Sequence, residues 1–279
     1  MLSTFDARPI TAAEKLELRR DAHNAKRRWE RARRAAIDYE RQLRRVAQAV
    51  GELVRGRLAE SLDQPYEAAQ VDAALADVER MLRQYALLLG PWARAVARRM
   101  LTEVDRREKS AWIAHAHAIG REIRKELESA PTGIAYREGM DRQVALITSL
   151  PLEAAQRVHQ ISTNQMYSGL RGKGLVEEIM QTGEVTKSRA RLIARTEVAR
   201  ATTELTKARA EYVGSEAYEW MSAQDEDVRP RHRQLNGTIH RWDDPPVASE
   251  PGQQEMRYHP GGGPNCRCVP IPILSFTED

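Results

Sequence analysis

The stretch of sequence that decides the fold is TKSRARLIARTEVARATTELTKARAEYVGSEAYEWM, residues 186–221. Up to residue 211 it contains neither proline nor glycine, and its apolar residues recur three and four positions apart, which predicts one long helix. The five residues at 217–221 instead alternate in the manner of a strand. A long helix that gives way directly to a short strand indicates a mixed α+β domain.

Two more short strands are expected beyond this stretch. Residues 238–242 follow the turn dipeptide Asn236-Gly237. Residues 268–274 carry alternating prolines, and because proline has no backbone N–H to donate, it confines a strand to the edge of a sheet. Residues 151–279 are therefore predicted to form one small domain, a long helix with a few short antiparallel strands.

The residues before this domain are predicted to be mostly helical. Helical spacing of apolar residues covers three stretches, 11–62, 66–89 and 92–128. We expect residues 1–130 to form a helical arm plus a hairpin or bundle, and residues 131–150 to be a connector. The predicted fold class is α+β, a mostly helical N-terminal region followed by the small domain.

The composition bears on the class of protein. A 30% share of charged residues with only 5% aromatic residues favours long charged helices over an aromatic-rich sandwich. A helix that crosses a bilayer needs a run of about 20 apolar residues, and the sequence contains no such run. The first residues also lack the apolar segment of a secretory signal. We therefore expect synthesis in a cytoplasm and no membrane partner.

The excess of positive charge is N-terminal. Residues 1–50 hold 13 Lys and Arg against 7 Asp and Glu, whereas the whole chain holds 44 against 40. Such a segment could contact DNA phosphates or an acidic protein surface. The favoured alternative is a solvated helix face whose arginine stems cover apolar surface. The candidate contact residues are Arg27, Arg28, Arg31, Arg33 and Arg34.

The cysteines of the chain, Cys266 and Cys268, stand one residue apart, a spacing that closes a disulfide only with strain. Thiolate and imidazole are ligands that zinc prefers, and His232 and His259 are the imidazoles that we consider beside them. A loop-rich region without an evident apolar core would be stabilised by such an ion. Two interpretations stay open: a structural zinc held by these residues, and two reduced cysteines that merely pack.

Arg195 and Glu197 lie two apart on the predicted long helix and therefore point in different directions, which disfavours a mutual ion pair. A buried charge must be paired to be tolerated. We expect both residues to find partners elsewhere, in a polar network that includes Asp225, Arg229 and Asn265. This network would tie the long helix to the strand-rich part.

The same region holds residue types that metal-dependent nucleases use, namely Asp225, Asp227, His232 and His259. The two aspartates stand close to several arginines in the sequence, so charge pairing is the simpler role for them. No residue is predicted to be catalytic.

Five motifs occur in a set order: IARTE at 193–197, DEDVRPRH at 225–232, LNG at 235–237, WDDPP at 242–246 and HPGGGPNCRC at 259–268. With Trp220 ahead of the acidic cluster, this layout resembles the phage Mu F-like minor head proteins, also described as the phage head morphogenesis family. The resemblance covers about residues 145–279. Its specificity lies in the combination and order of the motifs.

The resemblance implies a minor capsid protein of a tailed bacteriophage, made in the bacterial host cytoplasm and located in the virion head, at the portal region or in the capsid interior. The implied role is head assembly, and not an enzymatic one. The implied partners are the portal, major capsid or scaffold protein, with packaged double-stranded DNA as a further one. Two alternatives stay open: a DNA-binding protein of the head interior, and a metal-dependent nuclease.

Overall fold

The computed structural model describes the backbone of residues 12–62, 68–118, 130–168 and 173–273, and the side chains of 33–58, 71–114, 130–163 and 177–273. Helices form most of this described chain. Their bounds are Ala12–Leu62 (α1), Ala68–Leu88 (α2), Gly90–Ala118 (α3), Gly133–Ser168 (α4), Lys173–Met180 (α5), Thr182–Tyr212 (α6) and Pro230–Leu235 (α7). The predicted continuation of the third helix to residue 128 lies outside the described residues.

Within the predicted connector at 131–150, residues 133–150 form the first half of α4. The helix continues through Pro151, which lacks the N–H that would bond to the carbonyl of Ile147. Such a proline costs about 3 kcal/mol in a helix interior. Ile147 and Leu150, in the turn before Pro151, are almost fully buried, and each contributes about 1.5–3 kcal/mol of apolar burial. Packing therefore outweighs the local break.

Two apolar clusters hold the helices together. The first joins α1, α3, α4 and α6, and its completely buried members include Leu43, Ala93, Ile147, Ala190 and Ala194. The second joins α1, α2, α4 and α5, and its completely buried members include Val54, Val78, Leu82, Ala155 and Ile179. Because helices from both sides of residue 150 build each cluster, the predicted separation of a domain at 151–279 does not correspond to a boundary in packing.

The strands form a small antiparallel sheet at the end of α6. Their bounds are Ala217–Met221 (β1), Ile239–Arg241 (β2) and Val269–Ile273 (β3), in the order β2-β1-β3. Trp220 in the central strand pairs with Pro270, and Tyr218 pairs with both His240 and Pro272. The proline-bearing strand lies at an edge, as predicted, and the α+β fold class is confirmed.

A third apolar cluster fills the region beneath the sheet, so the expectation that this part lacks an apolar core is wrong. Trp112 of α3 and Ala210 of α6 join residues of the sheet and loops here. The remaining buried members are Tyr218, Trp220, Leu235, Trp242, Ala248, Cys266 and Cys268. Widely separated aromatic residues build this core, because α3 packs against α6 and inserts Trp112.

Among the helices of the described residues, none combines the length and the apolar character that a membrane span requires.

Candidate functional site

Three side chains with metal-binding atoms meet inside the third cluster. His232 belongs to α7, and Cys266 and Cys268 belong to the loop that leads into β3. All three residues are buried, with at most 4% of their surface exposed. Pro230 occupies the first turn of α7, where its fixed backbone angle suits a helix start. Residues two apart in an extended segment point to the same face, so the Cys-x-Cys spacing directs both sulfurs the same way.

The donor atoms lie close enough to share one ion. The Nδ1 atom of His232 is 3.5 Å from the Sγ of Cys266 and 3.5 Å from the Sγ of Cys268. All three donor atoms lie within 4.8 Å of one another. Among the described residues, this is the single group of three or more His, Cys, Asp or Glu side chains with such spacing.

Hydrogen bonds fix the tautomer of His232. Its Nε2 lies 3.2 Å from the carbonyl oxygen of Ala248 and 3.0 Å from the hydroxyl of Tyr258. The Tyr258 hydroxyl donates its own proton to that carbonyl at 2.8 Å. Since a carbonyl can only accept, Nε2 carries the ring proton. The Nδ1 lone pair therefore faces the two sulfurs.

Several N–H groups surround the sulfurs. The backbone N–H of Gly261 donates to Cys266 Sγ at 3.3 Å. The hydrogen bond from Cys268 lowers the pKa of Cys266 well below its usual value. The pKa of Cys268 is raised, mainly because it donates that hydrogen bond to Cys266 and is buried.

The structure places His259 apart from this group. Its Nδ1 lies 3.1 Å from the hydroxyl of Tyr218, and its ring packs against Tyr218 and Trp242. Burial lowers the pKa of His259 to about 4, and the nearby Lys207 adds to the effect. Three of the four residues considered for zinc are thus brought together, and the fourth is part of the aromatic core.

The predicted polar network divides into two parts. Glu197 is 4% exposed and accepts hydrogen bonds from Arg142 Nε at 2.9 Å and Gln143 Nε2 at 2.8 Å, and pairs with Arg200 at 3.0 Å. Gln143 in turn accepts from the Tyr39 hydroxyl at 2.9 Å. Glu197 therefore ties α6 to α4 and α1, and the expectation that it ties α6 to the strands is wrong.

Arg142 and Gln143 were not expected as partners of Glu197, because residues 131–150 were predicted to be a connector. A buried acid on a long helix requires a partner, and that requirement was the available signal. The position of the partner depends on α4 being one helix that packs against α6.

The other members of the predicted network hold the loops in place. The carboxylate of Asp225 accepts two hydrogen bonds from the guanidinium of Arg267. Arg229 donates to the carbonyl of Pro264 at 2.7 Å, and the backbone N–H of Asn265 donates to the hydroxyl of Thr196 at 3.0 Å. Arg195 is exposed and takes no part in the Glu197 cluster. Thr196 therefore makes one link between α6 and the cysteine loop.

Two more contacts join α6 to this loop. The hydroxyl of Thr203 donates to the carbonyl of Pro260 at 2.6 Å, and Arg200 donates to the carbonyl of Gly262 at 3.0 Å. Gly261 between them has a φ of 81°, and a Cβ at this position would lie 2.9 Å from the carbonyl oxygen of Ala199. The loop can approach α6 this closely because residue 261 has no side chain.

A cleft of about 590 Å³ opens beside the three donor atoms, between α1, α6 and the loops at 223–229 and 265–269. All three donor residues line it. Basic side chains outnumber acidic ones on its walls: Arg33, Arg195, Arg229 and Arg267 against Glu40 and Asp227. Of the five arginines considered for DNA contact, Arg33 and Arg34 are exposed on α1, whereas the side chains of Arg27, Arg28 and Arg31 lie outside the described residues.

The arrangement can hold a soft divalent cation through one nitrogen and two sulfurs. It does not assemble the set considered for a nuclease. Asp225 and Asp227 pair with Arg267, and His259 is part of the aromatic core. Neither aspartate joins His232 in the described metal-binding group.

Comparison with known proteins finds a similarity in this region. Residues 156–271 match the model for the family described as Phage Mu protein F like protein. An uncharacterized protein of Haemophilus influenzae (strain ATCC 51907 / DSM 11121 / KW20 / Rd) is 34% identical over 135 residues, 48% of this chain. The chain spans only 28% of the length of that relative. No solved structure matches the chain.

The matched residues run from the middle of α4 to β3 and include Glu197, His232 and both cysteines. They coincide with the region in which the ordered motifs occur. Residues 156–271 of this chain are thus similar to the family described as Phage Mu protein F like protein.

Proposed function

We propose that the chain is a minor head protein of a tailed bacteriophage, which acts in head assembly and resides in the virion. The observation that carries the proposal is the match of residues 156–271 to the Phage Mu protein F like family. The proposed role is structural: the chain supplies contact surfaces for other head proteins, and no reaction is assigned to it.

The packing of the domain supports a rigid assembly module. Tyr39, Gln143 and Glu197 form a hydrogen-bonded chain through α1, α4 and α6. Thr206 and Arg209 of α6 bond to acidic side chains of α3, at 2.5 Å and 2.6 Å. Buried hydrogen bonds between helices favour one arrangement of the helices over others. A rigid body of this kind presents its surfaces at fixed positions.

For the contact with a head protein, we favour the basic cleft between α1 and the Mu F-like domain. Glu40 is engaged by Arg44 and Arg191, and Asp227 by Arg267, so the acidic groups on its walls are paired. Arg195 is exposed at the cleft. Such a surface suits an acidic segment of the portal, major capsid or scaffold protein.

Packaged double-stranded DNA is the second candidate partner, and the exposed Arg33 and Arg34 on the basic α1 favour it. Contacts to phosphates make binding strongly dependent on salt concentration. A duplex-binding titration of the purified chain at two salt concentrations tests it: affinity that falls steeply with salt supports a DNA contact, and the absence of binding at low salt removes it.

The head-assembly proposal is tested in the phage that encodes the chain. We expect mass spectrometry to detect the chain in purified heads, and deletion of its gene to reduce the yield of infectious particles and produce malformed heads in electron micrographs. Heads that lack the chain, together with an unchanged yield after deletion, would overturn the proposal.

A charge reversal tests the cleft. We expect Arg195→Glu to reduce incorporation of the chain into heads, since it places an acid where an acidic partner segment would dock. Arg94→Glu, at an exposed position of α3 outside the cleft, is the matched control and should leave incorporation unchanged. Equal incorporation of both variants would remove the cleft as the contact surface, while leaving head assembly itself to the deletion test.

A further inference from the structure

We propose that His232 Nδ1, Cys266 Sγ and Cys268 Sγ bind one zinc ion, which fastens α7 to the loop that leads into β3. This inference is independent of the head-assembly role, because it depends on the geometry of the three donors alone.

The distances between the donors match a zinc site. Tetrahedral zinc with Zn–S bonds of about 2.3 Å and a Zn–N bond of about 2.0 Å places a nitrogen and a sulfur ligand about 3.5 Å apart. His232 Nδ1 lies 3.5 Å from each sulfur. The ion therefore fits between the three atoms with little movement of the chain.

The second nitrogen of His232 is already bonded as in a metal-bound imidazole. Metal-binding histidines generally donate their other ring N–H to a carbonyl or carboxylate, which fixes the ring and its tautomer. His232 Nε2 donates to the Ala248 carbonyl, at 3.2 Å, and to the Tyr258 hydroxyl. This orientation places Nδ1 on the side of the sulfurs.

The surroundings of the sulfurs suit thiolates. Gly261 N–H donates to Cys266 Sγ at 3.3 Å. The indole Nε1 of Trp220 is buried and has no oxygen or nitrogen acceptor among the described residues. Trp220 also packs edge-on against the ring of His232, with centroids 5.4 Å apart. Two buried thiolates would repel each other strongly, and a divalent cation between them removes that repulsion.

The choice of zinc follows from the donor set. Two thiolates with one imidazole favour zinc over magnesium or calcium, which prefer oxygen ligands. An iron–sulfur cluster generally needs four protein ligands, and the described residues bring three donors together here. All three donor residues line the cleft, so the fourth position of the ion is open to water.

Metal analysis of the full chain tests the proposal. The chain is purified without a polyhistidine tag from cells grown with added zinc, and its metals are measured by mass spectrometry after dialysis. We expect one zinc per chain. Folded wild-type protein with less than about a tenth of a zinc per chain would overturn the proposal.

Variants locate the ion. We expect Cys266→Ser and His232→Gln to reduce bound zinc at least about tenfold, since each removes one of three protein ligands. The matched control is His259→Gln, which should retain one zinc because His259 belongs to the aromatic core. Zinc retained by Cys266→Ser, or lost equally in the His259 variant, would contradict this assignment.

Cobalt substitution gives a readout that does not require the variants to fold. Co(II) added to metal-free wild-type protein should produce the visible bands of a tetrahedral site and a sulfur-to-cobalt charge-transfer band. Zinc should then displace the cobalt and abolish both. Cobalt spectra of an octahedral site without the charge-transfer band would overturn the proposal, as would a Cys266–Cys268 disulfide in protein purified under reducing conditions.

Discussion

The hydroxyl of Thr203 donates a 2.6 Å hydrogen bond to the carbonyl oxygen of Pro260, and this buried contact joins α6 to the loop that carries both cysteines. Thr203→Val keeps the shape of the side chain and removes the donor. An unsatisfied buried carbonyl costs about 1–3 kcal/mol. We expect the free energy of unfolding, measured by urea titration, to fall by about that amount.

Thr163→Val is the control for this substitution. The Thr163 hydroxyl donates to the carbonyl of His159 one turn before it, on an exposed part of α4. Its removal leaves no buried group unsatisfied, so we expect a change within about 0.5 kcal/mol. Equal losses of unfolding free energy in the two variants would mean that the buried Thr203–Pro260 hydrogen bond stabilises the fold no more than the exposed one does.

Gly261 combines a left-handed backbone conformation with a close approach to α6. Gly261→Ala forces an alanine into a left-handed conformation and places its Cβ 2.9 Å from the Ala199 carbonyl oxygen. The conformation costs about 1–2 kcal/mol, and the overpacking adds about 1–3 kcal/mol. We expect a clear loss of thermal stability and, because Cys266 lies in the same loop, weaker zinc retention.

Gly252→Ala isolates the conformational part. Gly252 has nearly the same backbone angle, a φ of 84°, but a Cβ there would meet no atom within 4 Å. We expect this variant to lose only the backbone contribution. If the two alanine variants melt at the same temperature, the close approach of the loop to α6 has no energetic consequence.

Among the acidic residues of α6, Glu197 should contribute most to the free energy of unfolding. Glu197→Ala leaves Arg142 and Arg200 without their shared carboxylate, although both arginines keep partial access to water. We expect a loss of about 2 kcal/mol or more, measured by chemical denaturation, somewhat below the cost of breaking a fully buried pair.

Two matched variants separate charge from position. Glu197→Gln retains hydrogen-bonding atoms without the charge and should be less destabilising than alanine. Glu184→Ala removes an acid of α6 whose side chain is 78% exposed, and should change stability by less than about 0.5 kcal/mol. A Glu197→Ala protein as stable as the wild type would contradict the proposed contribution of the Glu197 contacts to stability.

His259 should make stability depend on pH. Its folded pKa is lowered to about 4, mainly by burial, whereas an unfolded histidine titrates near about 6.5. Between these values the unfolded chain binds a proton that the folded chain does not, so stability falls as pH decreases from about 6.5 to about 4. We expect the wild type to lose more stability over this window than His259→Gln.

The control for this pH dependence is His159→Gln. His159 is exposed and contacts Glu79 at 3.2 Å. We expect His159→Gln to leave the difference in the free energy of unfolding between pH 7 and pH 4.5 nearly unchanged. A His259→Gln protein whose stability varies with pH as the wild type does would show that this histidine is not the source.

Much of the local structure follows from nearby residues. The apolar spacing at 186–211 predicted α6, the Asn236-Gly237 turn preceded β2, and the prolines of 268–274 predicted an edge strand, all of which the structure contains. These features depend on backbone preferences that act over a few residues.

The sequence by itself thus determined the α+β class, the long helix and the order of motifs that resembles the Phage Mu protein F like family. Only the tertiary structure decided that α4 continues through Pro151, that Arg142 and Gln143 are the partners of Glu197, and that His232 rather than His259 meets the cysteines. The reason is physical. Whether a helix continues through a proline depends on the side chains that pack around it. Which partner a buried charge has depends likewise on the side chains around it. Residues more than fifty positions away in the chain supply those surroundings.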